Sequence, residues 1–187
     1  MNHFHIREAQ TSDIQAIADL HSSQARTQIR DSSGGFLLAE ITQEQVHEHM
    51  KQGTRYFLAT LAPEEQAEIV GLVALSQPQI TPQILETIRW TGEDYSDRLM
   101  SDRHYYIQVL VTKPGWTGKG VAQSLYRFLY KTLPGSVLSG FIVTQPITNH
   151  RSLNFHHQQG FSIIGVIDDE EFLNLKSCQR TIIYREI

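Results

Sequence analysis

The strongest constraint on the fold comes from one stretch, residues 109–122, with the sequence VLVTKPGWTGKGVA. Its apolar, β-branched beginning is closed by Pro114 and predicts a buried strand. Beyond the turn, apolar residues recur at helical spacing, which predicts a helix from about Gly118 to Leu133. A strand, a glycine turn and a helix in this order present free backbone N–H groups and a helix dipole to an anion.

The glycines of this turn favour a phosphate site without establishing one. Gly118 and Gly120 lack side chains, so a diphosphate could approach the backbone closely. The spacing is not a Walker A loop, because no Gly-Lys-Ser/Thr closes it. It is not a full dinucleotide fingerprint either, because no third glycine follows Gly118 and Gly120 at the spacing of G-x-G-x-x-G. Two glycines one residue apart also occur in ordinary loops, so the later sequence has to decide.

A second motif occupies residues 149–161, with the sequence NHRSLNFHHQQGF. Together with residues 114–122, it resembles the GNAT superfamily of acyl-CoA-dependent N-acyltransferases. The pyrophosphate loop of that family, Gln/Arg-x-x-Gly-x-Gly/Ala, matches residues 115–120. Its later signature, Asn-x-x-Ala-x-x-hydrophobic-Tyr followed by Gly-Phe, matches residues 149–161. Both signatures stand in the right order and at the right distance, which makes the resemblance specific.

The resemblance implies acetyl-CoA as co-substrate, bound along the central strand and at the glycine loop. A backbone N–H near Leu110 would then polarise the thioester carbonyl. The loop departs from the family at two positions. Gly115 stands where the family usually has Gln or Arg, and Thr117 stands where a basic residue is frequent. A side-chain contact to the diphosphate is thereby lost. The residues that the resemblance assigns to the co-substrate are Leu110, Val111, Thr112, Gly115, Trp116, Thr117, Gly118, Lys119, Gly120, Val121, Ala122, Asn149 and Phe155.

His156 stands where the family usually has tyrosine, although some members carry histidine there. We predict that His156 donates a proton to the departing thiolate, because imidazole titrates near pH 6.5 and a thiol near 8.5. The alternative is that His156 packs against the co-substrate or bonds a backbone carbonyl. Asn149 has an alternative role as a helix N-cap. His157 is expected to point elsewhere, because adjacent helical residues diverge by about 100°.

The residue sequence leaves open which base deprotonates the acceptor. An amine attacks in its neutral form, so a carboxylate or a water chain must accept its proton. The acidic run 168–171 would attract a cationic amine, or it is a solvated hairpin tip. The residues in segments that border the acceptor pocket of relatives are Glu40, Glu93, Asp94 and Gln108.

The order of predicted elements favours one α/β (α+β) domain over residues 1–187. By resemblance it has a mixed sheet of about seven strands, four main helices on both faces, and central parallel strands splayed apart. Residues 31–35 predict a flexible break, and 78–103 an insertion that shapes the substrate side or a dimer contact. The predicted strands are 4–7, 56–61, 69–75, 105–112, 136–144, 161–167 and 180–187, and the helices begin near residues 14, 42, 82 (ending at 90), 118 and 149.

Composition narrows the function classes. A net charge of −4 gives no support for nucleic-acid binding, and no apolar stretch reaches the roughly twenty residues that span a bilayer. Cys178 is the single cysteine, which excludes an internal disulfide and fits a reducing cytoplasm. No signal peptide is evident at the N-terminus. The nine histidines show no zinc spacing, so no metal site is expected.

The leading hypothesis is a cytoplasmic N-acetyltransferase that moves the acetyl group of acetyl-CoA to a primary amine of a small molecule or peptide. The alternative is a catalytically silent acyl-CoA-binding sensor domain. Both predict co-substrate binding, and only the first predicts amine-dependent release of CoA thiol. A homodimer, formed through edge strands or the insertion, is an open expectation.

Overall fold

The computed structural model describes residues 3–28, 35–64 and 67–187. Residues 31–34 of the expected flexible break lie outside the described residues. The chain divides into two compact units, which are called unit 1 (Met1–Ser76 and Gln108–Pro134) and unit 2 (Gln77–Ile107 and Gly135–Ile187). The assignment of residues 1–187 to a single domain stays a prediction.

The elements follow one another in an α/β order. They are β1 (His5–Glu8), a 3-10 turn (Thr11–Asp13), α1 (Ile14–Ser23), α2 (Gln43–Lys51), β2 (Arg55–Thr60), β3 (Ile69–Ser76), α3 (Pro82–Glu86), β4 (Arg89–Trp90), α4 (Ser96–Leu99), β5 (His104–Thr112), α5 (Val121–Thr132), β6 (Val137–Gln145), α6 (His150–Gln158), β7 (Ser162–Phe172) and β8 (Leu175–Glu186). The predicted mixed α/β fold class is confirmed. Within the described residues there are eight strands and six α-helices, because the insertion contributes β4 and two short helices.

Unit 1 is a sheet in the order β1-β2-β3-β5, with β2 antiparallel to both β1 and β3. The start of α2 is fixed by a capping box: Gln45 N–H donates to Thr42 Oγ1 at 3.2 Å, and Thr42 N–H to Gln45 Oε1 at 2.8 Å. Val109 and Val111 of β5 belong to the core with α1 and α2. Because strand side chains alternate, Leu110 between them points to the other face. The buried members of this core are Ile17, Ala18, Leu20, Val46, Tyr56, Leu58, Leu72, Ala74, Val109 and Val111.

Unit 2 is a sheet in the order β5-β6-β8-β7-β4. β5 and β6 are parallel, as predicted, and they pair over three positions only, ending at Tyr106 and Ser139. The remaining pairs, β6 with β8, β8 with β7 and β7 with β4, are antiparallel. A buried cluster joins Leu85 and Leu99 of the insertion to residues of β6, β7 and β8, so the inserted helices pack on this sheet.

The predicted helix over residues 82–90 is wrong in its second half. α3 ends at Glu86, and Arg89–Trp90 pair with β7 as an edge strand. A five-residue helix has little stability of its own, so strand pairing and tertiary packing decide the conformation of this segment. Gly165 on β7 permits the pairing, because a Cβ there would lie 2.7 Å from Ile88 Cγ2. A bend at residues 91–93 precedes the short helix α4.

The acidic run 168–171, for which a hairpin tip was one expectation, lies inside β7. The reversal instead uses Leu173 and Asn174, whose φ angles are +45° and +64°. Opposite charges across the hairpin explain the extra strand length: Asp169 faces Arg180 at 2.7 Å, and Glu171 stands opposite Lys176 in the register. No helix within the described residues is long and apolar enough to cross a membrane.

Candidate functional site

The glycine loop, residues 113–120, connects β5 to α5 in unit 1. Gly115, Gly118 and Gly120 have φ angles of +81°, +78° and +88°, a region that disfavours side chains. A Cβ added at Gly115 or Gly118 would meet no atom within 4 Å. These glycines are therefore required by the backbone path and not by lack of space. The helix begins at Val121 and not near Gly118 as predicted, because Gly120 is its left-handed N-cap.

The N-terminus of α5 keeps its backbone donors open. The N–H of Ser124 makes the first intrahelical bond, to Gly120 O at 3.0 Å. The N–H groups of residues 121–123 precede that bond, and no side chain caps the helix within the described residues. Thr117, Gly118 and Lys119 are exposed, so other side chains do not seal the turn. This geometry suits a diphosphate, which backbone donors and the helix dipole would both stabilise.

Two lysines carry positive charge at this loop. Lys119 Nζ lies 4.7 Å from the centroid of the Trp116 ring, and Trp116 packs edge-on against Phe4 at 6.0 Å. Lys113 Nζ instead pairs with Glu68 at 2.7 Å. Lys119 is therefore the cation of this loop that no carboxylate neutralises within the described residues. Its ammonium can supply some of the charge that Gly115 and Thr117 do not provide.

Gly71 on β3 fixes the position of the helix N-terminus, and the sequence analysis missed this. A Cβ at Gly71 would clash with Val121 Cγ1 and lie 3.0 Å from Val111 O. The first residue of α5 thus packs directly on the backbone of β3. A glycine inside an apolar strand signals such a close approach, so the clue was present in the sequence.

Of the three predicted β5 contacts, Val111 is committed to the core, with 3 % of its surface exposed. Leu110 and Thr112 are half-buried. Any contact of Val111 with a ligand must therefore be made by its backbone.

In unit 2, Asn149 caps α6. Its Oδ1 accepts the N–H of Ser152 at 3.2 Å, and its own N–H donates to Val143 O at 3.0 Å. The capping role is confirmed, and the role in co-substrate binding stays a prediction.

His156 is buried near the end of α6, with 5 % of its surface exposed. Nδ1 lies 2.7 Å from Ser152 O, and the ring meets Phe155 and Phe161 edge-on at 5.5 and 5.2 Å. Burial lowers the pKa of His156 to about 4, against the opposing effect of the Ser152 carbonyl. The imidazole is therefore neutral at pH 7, with its proton on Nδ1 and a lone pair on Nε2.

This state bears on the predicted role of His156. The alternative in which the ring bonds a backbone carbonyl is confirmed, while proton donation stays a prediction. From its resting state, the ring must gain a proton at Nε2 before it can give one from that atom. The neighbouring His157 is exposed, as its helical position predicted.

Three of the four residues in segments that border the acceptor pocket of relatives are carboxylates, and all three have a lowered pKa. Hydrogen bonds from Gln28 and Thr27 lower the pKa of Glu40. The bond from Arg98 lowers the pKa of Glu93, and bonds from Ser96 do so for Asp94. A lowered pKa makes a carboxylate a weaker base.

Gln108, the fourth residue of these segments, is not titratable, and its Nε2 donates to Thr54 Oγ1 at 3.4 Å. Cys178 is buried, and burial raises the pKa of its thiol, which favours a passive role.

Comparison with known proteins places these motifs in a family. The model of the Acetyltransferase (GNAT) family matches residues 15–161, a range that includes both the glycine loop and α6. No curated protein matches the chain in sequence.

Solved structures share the fold at low identity. A ribosomal-protein-alanine N-acetyltransferase from Brucella melitensis is 14% identical, with 98% of this chain and 99% of that one covered and a TM-score of 0.63. Arabidopsis thaliana NAA60, solved with a bisubstrate analogue, is 14% identical over 99% and 98% of the chains, with a TM-score of 0.66. A phosphinothricin acetyltransferase from Sinorhizobium meliloti, solved with AcCoA, is 14% identical over 100% and 89%, with a TM-score of 0.61.

Proposed function

This chain belongs to the acetyltransferase (GNAT) family, and on that premise we propose that it transfers the acetyl group of acetyl-CoA directly to a primary amine of a small molecule or peptide. Acetyl-CoA is the co-substrate that membership of this family implies. The observation that carries the proposal is the glycine loop, whose three left-handed glycines leave the N-terminus of α5 open to solvent. The Arabidopsis and Sinorhizobium proteins, solved with a bisubstrate analogue and with AcCoA, support it.

In unit 1, the loop would bind the diphosphate mainly through its backbone. The N–H groups of residues 121–123 supply donors, and Lys119 supplies charge. The backbone of residues 110–112 would hydrogen-bond the pantetheine chain, as an added strand does. In unit 2, Asn149 and Phe155 are the proposed contacts to the co-substrate.

The reaction forms a bond from the amine nitrogen to the acetyl carbon and breaks the bond from that carbon to sulfur. The co-substrate supplies the activated thioester. A main-chain N–H near Leu110 would stabilise the negative charge that develops on the carbonyl oxygen. The amine gives up a proton, and the departing thiolate takes one up. His156 is the proposed proton-transfer residue, with Nε2 as its reactive atom because Nδ1 is engaged by Ser152.

A screen of amines for thiol release from acetyl-CoA tests the proposal. We expect release that depends on the amine, with an acetylated amine as the second product. The panel should include amino acids, polyamines and short peptides, and a Gly118→Glu variant serves as the control without a working loop. Binding of acetyl-CoA without thiol release for any amine would contradict the enzyme assignment. It would favour the silent sensor, to which the buried, neutral His156 lends some support.

A further inference from the structure

Unit 2 contains a guanidinium group that is held rigidly between two aromatic rings. Arg180 Cζ lies 4.7 Å from the centroid of Phe141 and 4.1 Å from that of Phe172. The two rings meet edge-on at 5.4 Å. Stacking on two rings stabilises the cation and limits its rotation, so Arg180 has a defined orientation.

Asp169 occupies only one edge of this guanidinium. Its Oδ2 accepts from Nε at 2.7 Å and its Oδ1 from Nη2 at 2.9 Å. Arginine carries five N–H donors, so one on Nη2 and two on Nη1 have no protein acceptor within the described residues. The side chain of Arg180 is 15 % exposed, and none of its nitrogens is among the buried atoms that lack a partner. The edge of the guanidinium that carries Nη1, called its free end, therefore reaches solvent.

Arg180, its two aromatic neighbours and Asp169 are called the clamp. The clamp lies beside the end of the β5–β6 pairing. Tyr106 is the last paired residue of β5, and Phe141 follows the last paired residue of β6, Ser139, by two positions. The Tyr106 ring lies 5.9 Å from that of Phe141. Tyr106 belongs to the strand whose residues 110–112 are the proposed contacts to the co-substrate.

We propose that the free end of Arg180 binds a carboxylate of the acceptor, so that the acceptor is an amine that carries a carboxylate nearby. This inference rests on the proposed function. A planar guanidinium edge matches a carboxylate in geometry, and the aromatic walls reduce its hydration. Asp169 already cancels part of the charge, which favours a singly charged carboxylate over a phosphate dianion. A free amino acid and an acidic peptide residue offer the same group.

Matched acceptor pairs test the inference. The free-amino-acid arm compares L-phenylalanine with L-phenylalaninamide, and the peptide arm compares two hexapeptides that differ by Asp or Asn at the second position. In at least one arm, we expect Arg180→Gln to reduce the acid-to-amide ratio of kcat/KM about ten-fold relative to wild type, as expected for loss of a charged hydrogen bond. Comparing this ratio between proteins cancels the different amine pKa values within each pair.

Arg89→Gln is the matched control. Arg89 pairs with Asp168 on the same hairpin, but 66 % of its side chain is exposed. We expect the ratio to stay at the wild-type value in this variant. An equal fall in both variants would overturn the assignment to Arg180, as would an unchanged ratio in folded Arg180→Gln in both arms.

The test does not depend on the variant alone. If Arg180→Gln fails to fold, the wild-type rates are compared per concentration of neutral amine, which removes the amine pKa difference within each pair. Wild-type protein that then uses the amide as well as or better than the acid in both arms overturns the proposal. A preference confined to one arm identifies the free amino acid or the peptide as the source of the carboxylate. Absence of thiol release with any amine would contradict the proposed function itself, whereas acetylation without regard to the carboxylate contradicts only this inference.

Discussion

The glycine loop of unit 1 and the helix α6 of unit 2 both carry family signatures, yet they depend on different parts of the chain. The proposed role of the loop belongs to its main chain: three glycines adopt positive φ, and the N-terminus of α5 keeps its N–H groups open. In α6 the proposed proton-transfer group is the side chain of His156, whose pKa is lowered by burial. A motif that works through backbone geometry can be read from residue types. A motif that works through a titratable side chain needs the surrounding packing.

The largest expected effect is on the glycine loop and its binding of acetyl-CoA. Gly118→Glu introduces a side chain at a φ of +78° and a negative charge where the diphosphate is proposed to bind. We expect acetyl-CoA affinity to fall by at least about 100-fold, or about 3 kcal/mol. Titration calorimetry with acetyl-CoA measures it.

Gly92→Glu is the control, because a Cβ at Gly92 also meets nothing within 4 Å and its φ is not in the left-handed region. An acetyl-CoA affinity that survives in Gly118→Glu would show that the loop assignment is wrong.

A replacement in α6 should separate chemistry from binding. His156→Phe keeps an aromatic ring but removes both nitrogens. We expect turnover to fall about 100-fold, within the usual range for a proton-transfer group, while acetyl-CoA affinity stays nearly constant. His157→Phe, on the exposed side of the same helix, should leave turnover near wild type. Steady-state kinetics and calorimetry on the same preparations provide the two readouts, and unchanged turnover would remove His156 from the mechanism.

The acid sensitivity of folding should reveal buried histidines in unit 2. Burial lowers the pKa of His104 and of His156 from 6.5 to about 4. Between these values the unfolded chain binds protons that the folded chain does not, so stability falls as pH falls from 6.5 to 4. Each histidine should contribute a loss of about 3 kcal/mol over that interval.

Urea unfolding at pH 7 and at pH 4.5 measures this loss. His156→Phe should reduce the pH-dependent part, because one of the two histidines is gone. A pH dependence as steep as that of wild type would mean that His156 is protonated in the folded protein.

The smallest effect concerns the support of the loop. Gly71→Ala should displace Val121 and weaken acetyl-CoA binding by up to about ten-fold, because overpacking typically costs 1–3 kcal/mol. Adding Val121→Ala removes the atom that clashes and should restore part of the affinity, although Val111 O stays 3.0 Å from the new Cβ. Gly92→Ala is the control. Failure of the double variant to recover any affinity would assign the loss to the strand and not to the position of α5.

The sequence predicted the strongly patterned elements well. The run at 109–112, the glycine turn and the apolar stripe of α5 were each recognisable within a short window, because their periodicity is local. The second half of the predicted helix at 82–90 was wrong, since Arg89 and Trp90 obtain their hydrogen bonds from β7, more than seventy residues away. The run at 168–171 was interpreted as a hairpin tip for the same reason: its charge partners lie on other strands, Arg180 on β8 and Arg89 on β4.

The candidate site divides in the same way. The glycines and the Asn149 cap could be assigned from residue type and order. The clamp at Arg180 gave no sequence signal, because Phe141, Phe172 and Asp169 come from different strands.

By itself, the sequence determined the fold class, the family resemblance and the position of the glycine turn, because these depend on local periodicity and on residues that tolerate positive φ. Tertiary structure alone decided that His156 is buried and neutral, that Gly71 holds the start of α5, and that Arg180 keeps one edge free. Those properties depend on desolvation, close approach and contacts between distant segments, which residue order does not reveal.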